Sequence, residues 1–278
     1  MKIIFIADFF LEDILGGGEI HNEILINLLK KRGHDVLKYR SHKVTSNLFR
    51  QNKNSCFIIA NFINLSEDCR VALESYKYVI YEHDHKYLSS RNPADYEDFK
   101  APEEAIINLN FYKNARSVFC QTSFHANIVR KNLNLENIVS TGGNLWSNNS
   151  LDLMEKFSKR DKQNKYSIIN SKIPHKGTVK SIKYCEYKDL DYELISSQNY
   201  HDFLFLLSKN KNLIFLPDTP ETLSRVVVEA RMMNTAVITN NLVGATKESW
   251  YKLKGRPLIN KMREKHKEIT DLIERVYE

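Results

Sequence analysis

The 278-residue sequence has no apolar run approaching the roughly 20 residues that cross a bilayer, so no transmembrane helix is expected. Its apolar opening soon meets Asp8, Glu12 and Asp13 and lacks the basic flank and small-residue cleavage site of a secretory leader. A buried first strand in a cytoplasmic protein is the expectation. Cysteine is scarce and scattered. Cys56, Cys69, Cys120 and Cys185 make no CxxC pair, which argues against a zinc site and a disulfide framework. Internal repeats and low-complexity tracts are missing. So is a GxGxxG turn close behind the first strand, which speaks against a nicotinamide-dependent dehydrogenase.

What is present is the composition of a globular chain able to bury a core, 42% hydrophobic and 27% charged. The length suits two lean domains. The formal net charge is +7, with the excess mostly at 156–165 and 172–188. Such a field favours anionic partners, among them nucleotide phosphates, nucleic acid and anionic lipid heads, without choosing among them.

Strands and helices alternate. Apolar runs predict strands at 2–7, 36–39, 56–60, 78–81 and 117–120. A loop ending in Gly16-Gly17-Gly18 leads to a helix opened by Glu19, with apolar residues at Ile20, Ile24, Leu25, Leu28 and Leu29. Pro102 predicts the first turn of a helix running to about Tyr112, and Thr122 the cap of another over 123–132. Polar sequence over 147–165 reads as the boundary between domains 1–150 and 151–278. Beyond it, strands are expected at 166–170, 212–216 and 236–239. Helices are expected from near Lys176, over 222–233, over 245–251, and over 261–277 as a closing helix of the second domain. The alternation implies parallel sheets covered by helices on both faces.

The most informative segment runs from Phe215 to Arg231. Glu221 ends a strand-to-helix loop, and Glu229 follows eight residues later in the helix. Ligands bind at such a carboxyl edge. The helix start offers N–H groups to an anion, and a carboxylate there can accept from two vicinal hydroxyls of a ribose. Read by spacing alone, the pair fits two solvated helix glutamates better than a binding site.

In its order of strand, proline, loop, Glu221, seven residues, Glu229, Ala230 and strand, the segment resembles the signature of family-4-like retaining glycosyltransferases. Val243-Gly244-Ala245, with Glu248 beyond, stands where that family has a glycine-rich turn. Two further stretches match: Gly16-Gly17-Gly18-Glu19 with the later Arg32-Gly33-His34, and Pro174-His175-Lys176-Gly177 after a strand. The resemblance implies a GT-B fold: two Rossmann-like domains with parallel sheets facing a cleft, the second domain abbreviated. The donor would sit in the second domain and the acceptor in the first. It implies transfer with retention from a nucleotide-diphosphate sugar, a UDP-sugar by expectation, with no cofactor.

Carried over, Glu229 holds the ribose and Glu221 the sugar, with Thr222 and Leu223 beside them in the donor loop. Lys176 neutralises the diphosphate, and Gly17 and Gly18 let backbone approach donor or acceptor. The family's arginine about five residues before the lysine is replaced by Ser171, and Lys172 beside it is the substitute candidate. His83 is a candidate beside the reacting sugar, and Glu19, Asp84 and His85 are acceptor candidates. His83-Asp84-His85 could also ligate a metal, but GT-B enzymes generally need none and no further ligand cluster follows. The small, basic, Asn/Lys/Ile-rich chain also looks like bacteriophage enzymes that glycosylate modified cytosines. A hydroxylated base in DNA therefore stands among the acceptors, alongside saccharide or lipid-linked acceptors. A DNA acceptor would call on the basic runs Lys156, Lys159, Arg160, Lys162, Lys165 and Lys261, Arg263, Lys265, Lys267. A non-catalytic nucleotide-sugar binder is the competing reading.

Overall fold

The computed structural model describes residues 1–278 and divides into two compact units: Met1–Leu145 with Lys265–Glu278, and Trp146–Glu264. The first unit is built on six strands, β1 (Lys2–Ala7), β2 (Asp35–Arg40), β3 (Cys56–Ile59), β4 (Tyr78–Glu82), β5 (Val118–Cys120) and β6 (Ile138–Ser140). They pair in parallel in the order β2-β1-β3-β4-β5-β6. Five helices connect them: α1 (Gly17–Lys31), α2 (Ser46–Gln51), α3 (Glu67–Leu73), α4 (Leu109–Asn114) and α5 (Ser123–Leu133). Residues 3–7 read as an unbroken apolar run because both faces of the sheet are covered. Ile4, Ile6, Phe57 and Ile80 fill one core, and Ile3, Phe5, Ile58 and Val79 fill the other.

The second unit has a shorter parallel sheet, β7 (Gln163–Ile169), β8 (Tyr192–Ile195), β9 (Asn210–Phe215) and β10 (Ala236–Thr239), in the order β10-β9-β7-β8. Its helices are α6 (Asn148–Phe157), α7 (Thr178–Tyr187), α8 (Tyr200–Lys209), α9 (Arg225–Met232) and α10 (Gly255–Tyr277). In each sheet the chain leaves a central strand for one side and returns on the other. The switch points fall between β1 and β3 and between β7 and β9. Ligand crevices of open parallel sheets form at the carboxyl ends of such strands.

Several expectations change. The polar stretch over 147–165, read as a domain boundary, carries a helix and the start of β7. Ser147 caps α6 by accepting from the Ser150 amide, and Leu151, Met154 and Phe157 are buried at helical spacing. The expected helix from Pro102 to Tyr112 is a 3-10 turn, Glu103–Ala105, then an extended stretch, then α4. Asn108, at φ 59°, breaks any continuous helix there. The 245–251 helix is two 3-10 turns, Gly244–Lys247 and Ser249–Lys252. The predicted helices near Lys176 and Thr222 begin later, at Thr178 and Arg225, because Gly177 and Ser224 both have positive φ. Finally, α10 ends in the first unit, whereas the sequence reading gave the whole segment to the second. Ile269, Ile273 and Tyr277 are buried with β1 and β3, and the Tyr277 hydroxyl donates to the Phe57 carbonyl at 2.5 Å.

Candidate functional site

In the second unit the predicted donor residues gather at the β7/β9 switch point. The loop after β7 tightens into a 3-10 turn at Pro174–Lys176 and reverses at Gly177, whose φ is 72°. A Cβ on Gly177 would collide with the Leu216 carbonyl oxygen just past β9, so only glycine lets the two loops lie this close. The Asp218 amide then donates to the His175 carbonyl at 2.9 Å.

Across that contact Lys176 Nζ reaches Glu221 Oε1 at 2.6 Å, with both side chains partly open to solvent. The Glu221 loop is held in turn by the 243–245 turn. The Glu221 amide donates to the Leu242 carbonyl, the Gly244 amide to the Glu221 carbonyl, and the Ala245 amide to the Leu223 carbonyl, at 2.8, 2.9 and 3.1 Å. Lys172 is exposed in the β7 loop, and Thr222 is half-buried beside Glu221. Leu223 corrects an expectation: its side chain is buried in the core, so it anchors the loop and offers a ligand no side-chain contact.

Glu229 lies inside α9, 2% exposed. Its Oε1 accepts from Trp146 Nε1 at 2.9 Å and from the Tyr200 hydroxyl at 2.6 Å, and lies 3.4 Å from Arg225 Nε. The Arg225 guanidinium also stands over the Trp146 ring, 4.5 Å from its centroid. Burial, then the Glu229 charge, lifts the Tyr200 hydroxyl far above its ordinary value and keeps it a donor. Sequence reasoning missed Trp146, Tyr200 and Arg225. The last was legible as a cation four residues before Glu229, one helical turn away.

In the first unit Gly16, Gly17 and Gly18 open α1, whose N-terminus has no side-chain cap. A Cβ on Gly18 would touch the His83 ring at 3.4 Å. Glu19 is half-buried, and burial raises its carboxyl above the ordinary range. Its side chain folds back over Gly16.

His83 belongs to a chain of side chains that the sequence did not reveal. His21 Nδ1 lies 2.6 Å from Asn144 Oδ1, and Asn144 Nδ2 donates to Gln121 Oε1 at 2.7 Å. Gln121 Nε2 lies 3.2 Å from His83 Nδ1, and His83 Nε2 lies 2.8 Å from Asn22 Oδ1. Amide nitrogens only donate and amide oxygens only accept, so all four bonds run one way. His21 carries its proton on Nδ1 and His83 on Nε2. Burial first, with the Lys86 charge adding to it, pushes His83 well below its ordinary value. It is neutral with both nitrogens engaged, an arrangement suited to holding a surface in place rather than relaying a proton.

Asp84 and His85 do not converge with it. Asp84 pairs with Lys86 and Arg91, and its carbonyl accepts from His125 Nε2 at 2.8 Å. Burial works against its charge, yet Lys86 and Arg91 hold it well below the carboxylate range. Lys86 is wholly buried and also pairs with Glu82, whose carboxyl burial lifts to about 7. His85 turns into the core, 3% exposed, with Nδ1 3.1 Å from the Tyr87 hydroxyl. The chain bends at His83 and Asp84, just past β4, and the three side chains take separate partners, His83 with Asn22 and Gln121, Asp84 with Lys86 and Arg91, and His85 with Tyr87. His85 is therefore unavailable to an acceptor, and Glu19 is the acceptor candidate left without a side-chain partner. Asp8, just past β1, was also missed: it takes the Ile63 and Asn64 amides at 2.9 and 3.0 Å and so ties β1 to β3 at the first switch point.

The predicted phosphate-binding lysines are mostly occupied. Arg160 stacks on Phe205, Lys162 donates to the Ser208 carbonyl, and Lys165 pairs with Asp191. Lys261, Arg263, Lys265 and Lys267 pair with Glu264, Asp152, Glu268 and Asp271.

The sequence matches no family model and no curated protein. Solved structures match its fold along nearly the whole chain. The catalytic domain of starch synthase IV from Arabidopsis thaliana, bound to ADP and acarbose, superposes with a TM-score of 0.63 at 10% identity, covering 99% of this chain and 98% of that one. Anabaena HepE in complex with UDP and glucose gives 0.56 at 13% identity, covering 100% and 92%. An alpha-glucosyltransferase in complex with UDP and a 13-mer DNA containing an HMU base gives 0.53 at 12% identity, covering 100% and 92%. The likeness is one of architecture. The chain has the GT-B fold of two Rossmann-like domains with parallel sheets of six and four strands.

Proposed function

We propose that the protein is a glycosyltransferase that moves a sugar from a nucleoside-diphosphate sugar, a UDP-sugar in the first instance, to a hydroxyl acceptor with retention. The observation that carries this reading is the meeting of Lys176 and Glu221 across Gly177 at the β7/β9 switch point, with Glu229 in the helix that follows. In the reaction the acceptor oxygen bonds to the anomeric carbon and the bond from that carbon to the diphosphate breaks. The hydroxyl proton leaves to the diphosphate or solvent. Lys176 offsets the charge growing on the leaving group. Glu221 accepts from sugar hydroxyls, and Glu229 accepts from the ribose while Trp146 and Tyr200 hold its other oxygen. Gly17, Gly18 and Glu19 form the acceptor side, with His83 as a fixed neutral wall against Gly18.

A hydroxylated base in DNA is the acceptor to test first. Support comes from the net charge of +7 and from one fold neighbour that was solved with DNA. The engaged lysines weigh against the basic runs first suggested for it, and exposed Lys172, Lys183 and Lys188 around α7 remain as the alternative. The experiment is mass spectrometry after incubation with a panel of nucleotide sugars. The acceptor arms are DNA carrying hydroxymethylated pyrimidines, plain DNA and free saccharides. Sugar added only to saccharides removes the DNA acceptor. No transfer and no donor hydrolysis with any nucleotide sugar removes the enzyme reading.

A further inference from the structure

Serine is among the best helix N-caps because its hydroxyl accepts from a first-turn amide. Ser224 holds that position on α9 and makes no such bond. With φ 72° and ψ 90°, it is far from the extended backbone that capping requires. The residue is 7% exposed, and its Oγ is buried with no hydrogen-bond partner. A strained backbone, an absent cap and an orphaned buried hydroxyl thus fall on one residue. Glycine would remove the strain and the orphan together. Such costs persist where a functional site needs them.

The surroundings select the ligand. The amino end of α9 presents first-turn amides and the positive pole of the helix dipole to an anion. Lys176 is tied into the same loop through Glu221, three residues before Ser224.

We infer that Ser224 is a ligand of the donor diphosphate, its hydroxyl held to donate to a phosphoryl oxygen; this rests on the glycosyltransferase reading above. The diphosphate meets the unused donor and takes the place of the cap that α9 lacks. Ser224 is thereby a residue for phosphate recognition that the spacing of Glu221 and Glu229 does not disclose.

The test is calorimetric titration of UDP and ADP, and of uridine and adenosine, into wild type, Ser224→Gly and Ser224→Ala, with thermal melting of each. Ser224→Gly should melt no lower than wild type yet bind its nucleoside diphosphate roughly 10-fold more weakly or worse, as for a lost bond to a charged group. Ser224→Ala should lose the same affinity with no gain in melting temperature. The nucleoside should bind all three alike. Unchanged diphosphate affinity in both variants overturns the inference alone, as does a parallel loss of nucleoside affinity, which would mark a merely structural role. A wild type that binds no nucleoside diphosphate overturns the glycosyltransferase reading, and the inference with it.

Discussion

Glu229 and Gly177 show how much a single position can settle. Gln at 229 keeps an oxygen for Trp146 and Tyr200 but gives up the charge that meets Arg225 and would bind the ribose. Glu229→Gln should weaken nucleoside-diphosphate binding by about 1.5–3 kcal/mol, read by calorimetry. Equal affinities would remove Glu229 from the donor site. Gly177→Ala is expected to act on the fold itself, since positive φ and the Leu216 carbonyl both oppose a Cβ. A loss of about 3 kcal/mol in urea denaturation is expected, with nucleotide binding impaired as the β7 and β9 loops part. A variant as stable as wild type would mean that the loops are not packed as described.

Among the elements, α10 departs most from what its sequence suggests. Ile273 is fully buried against the β1/β3 core, so Ile273→Ala should cost about 2–4 kcal/mol. Hydrogen exchange should place the loss in β1 and β3, and protection lost only from the second unit would contradict the packing. Most strands of the first unit were legible, because parallel strands buried on both faces are continuous apolar runs. The loop proposed to bind the donor stood out in the sequence too, since a proline, a glycine and two spaced glutamates are local features. The chain of His21, Asn144, Gln121 and His83 was not, because His21 and Asn144 are 123 residues apart and meet only through the tertiary fold. Nor was α6, whose three buried residues are outnumbered by polar ones on its solvent face. Ser224 escaped because the helix was expected to start at Thr222, which places the serine inside it, and a positive φ at a serine leaves no mark in the sequence.

At the scale of the whole molecule, buried titratable groups govern stability against pH. Burial lowers His125 from 6.5 to about 4 and pushes His83 and His85 well down. The unfolded chain takes up these protons near 6.5 and the fold does not, so their contribution is complete above about 6.5 and is lost as pH falls. Glu82 acts the other way. Its carboxyl is raised from 4.5 to about 7, so its contribution is present below about 4.5 and lost as pH rises through 7. Glu19, raised by its burial, adds to Glu82, and three histidines against these two carboxyls predict net destabilisation on acidification. His125 alone removes on the order of 2 kcal/mol by pH 5. Urea midpoints at pH 7.5 and 5 for wild type and His125→Asn check this: the wild-type midpoint should fall and the variant's should fall less. The ion pair of Lys176 with Glu221 has a different consequence. A lysine that already holds a carboxylate does not capture a diphosphate from water; it trades one counter-charge for another. Donor binding by this trade leaves the number of ion pairs at Lys176 unchanged, so added salt should weaken both sides of the exchange. UDP affinity measured from low to high ionic strength should therefore vary less in wild type than in Glu221→Gln, where the lysine is left to meet the phosphates from solvent.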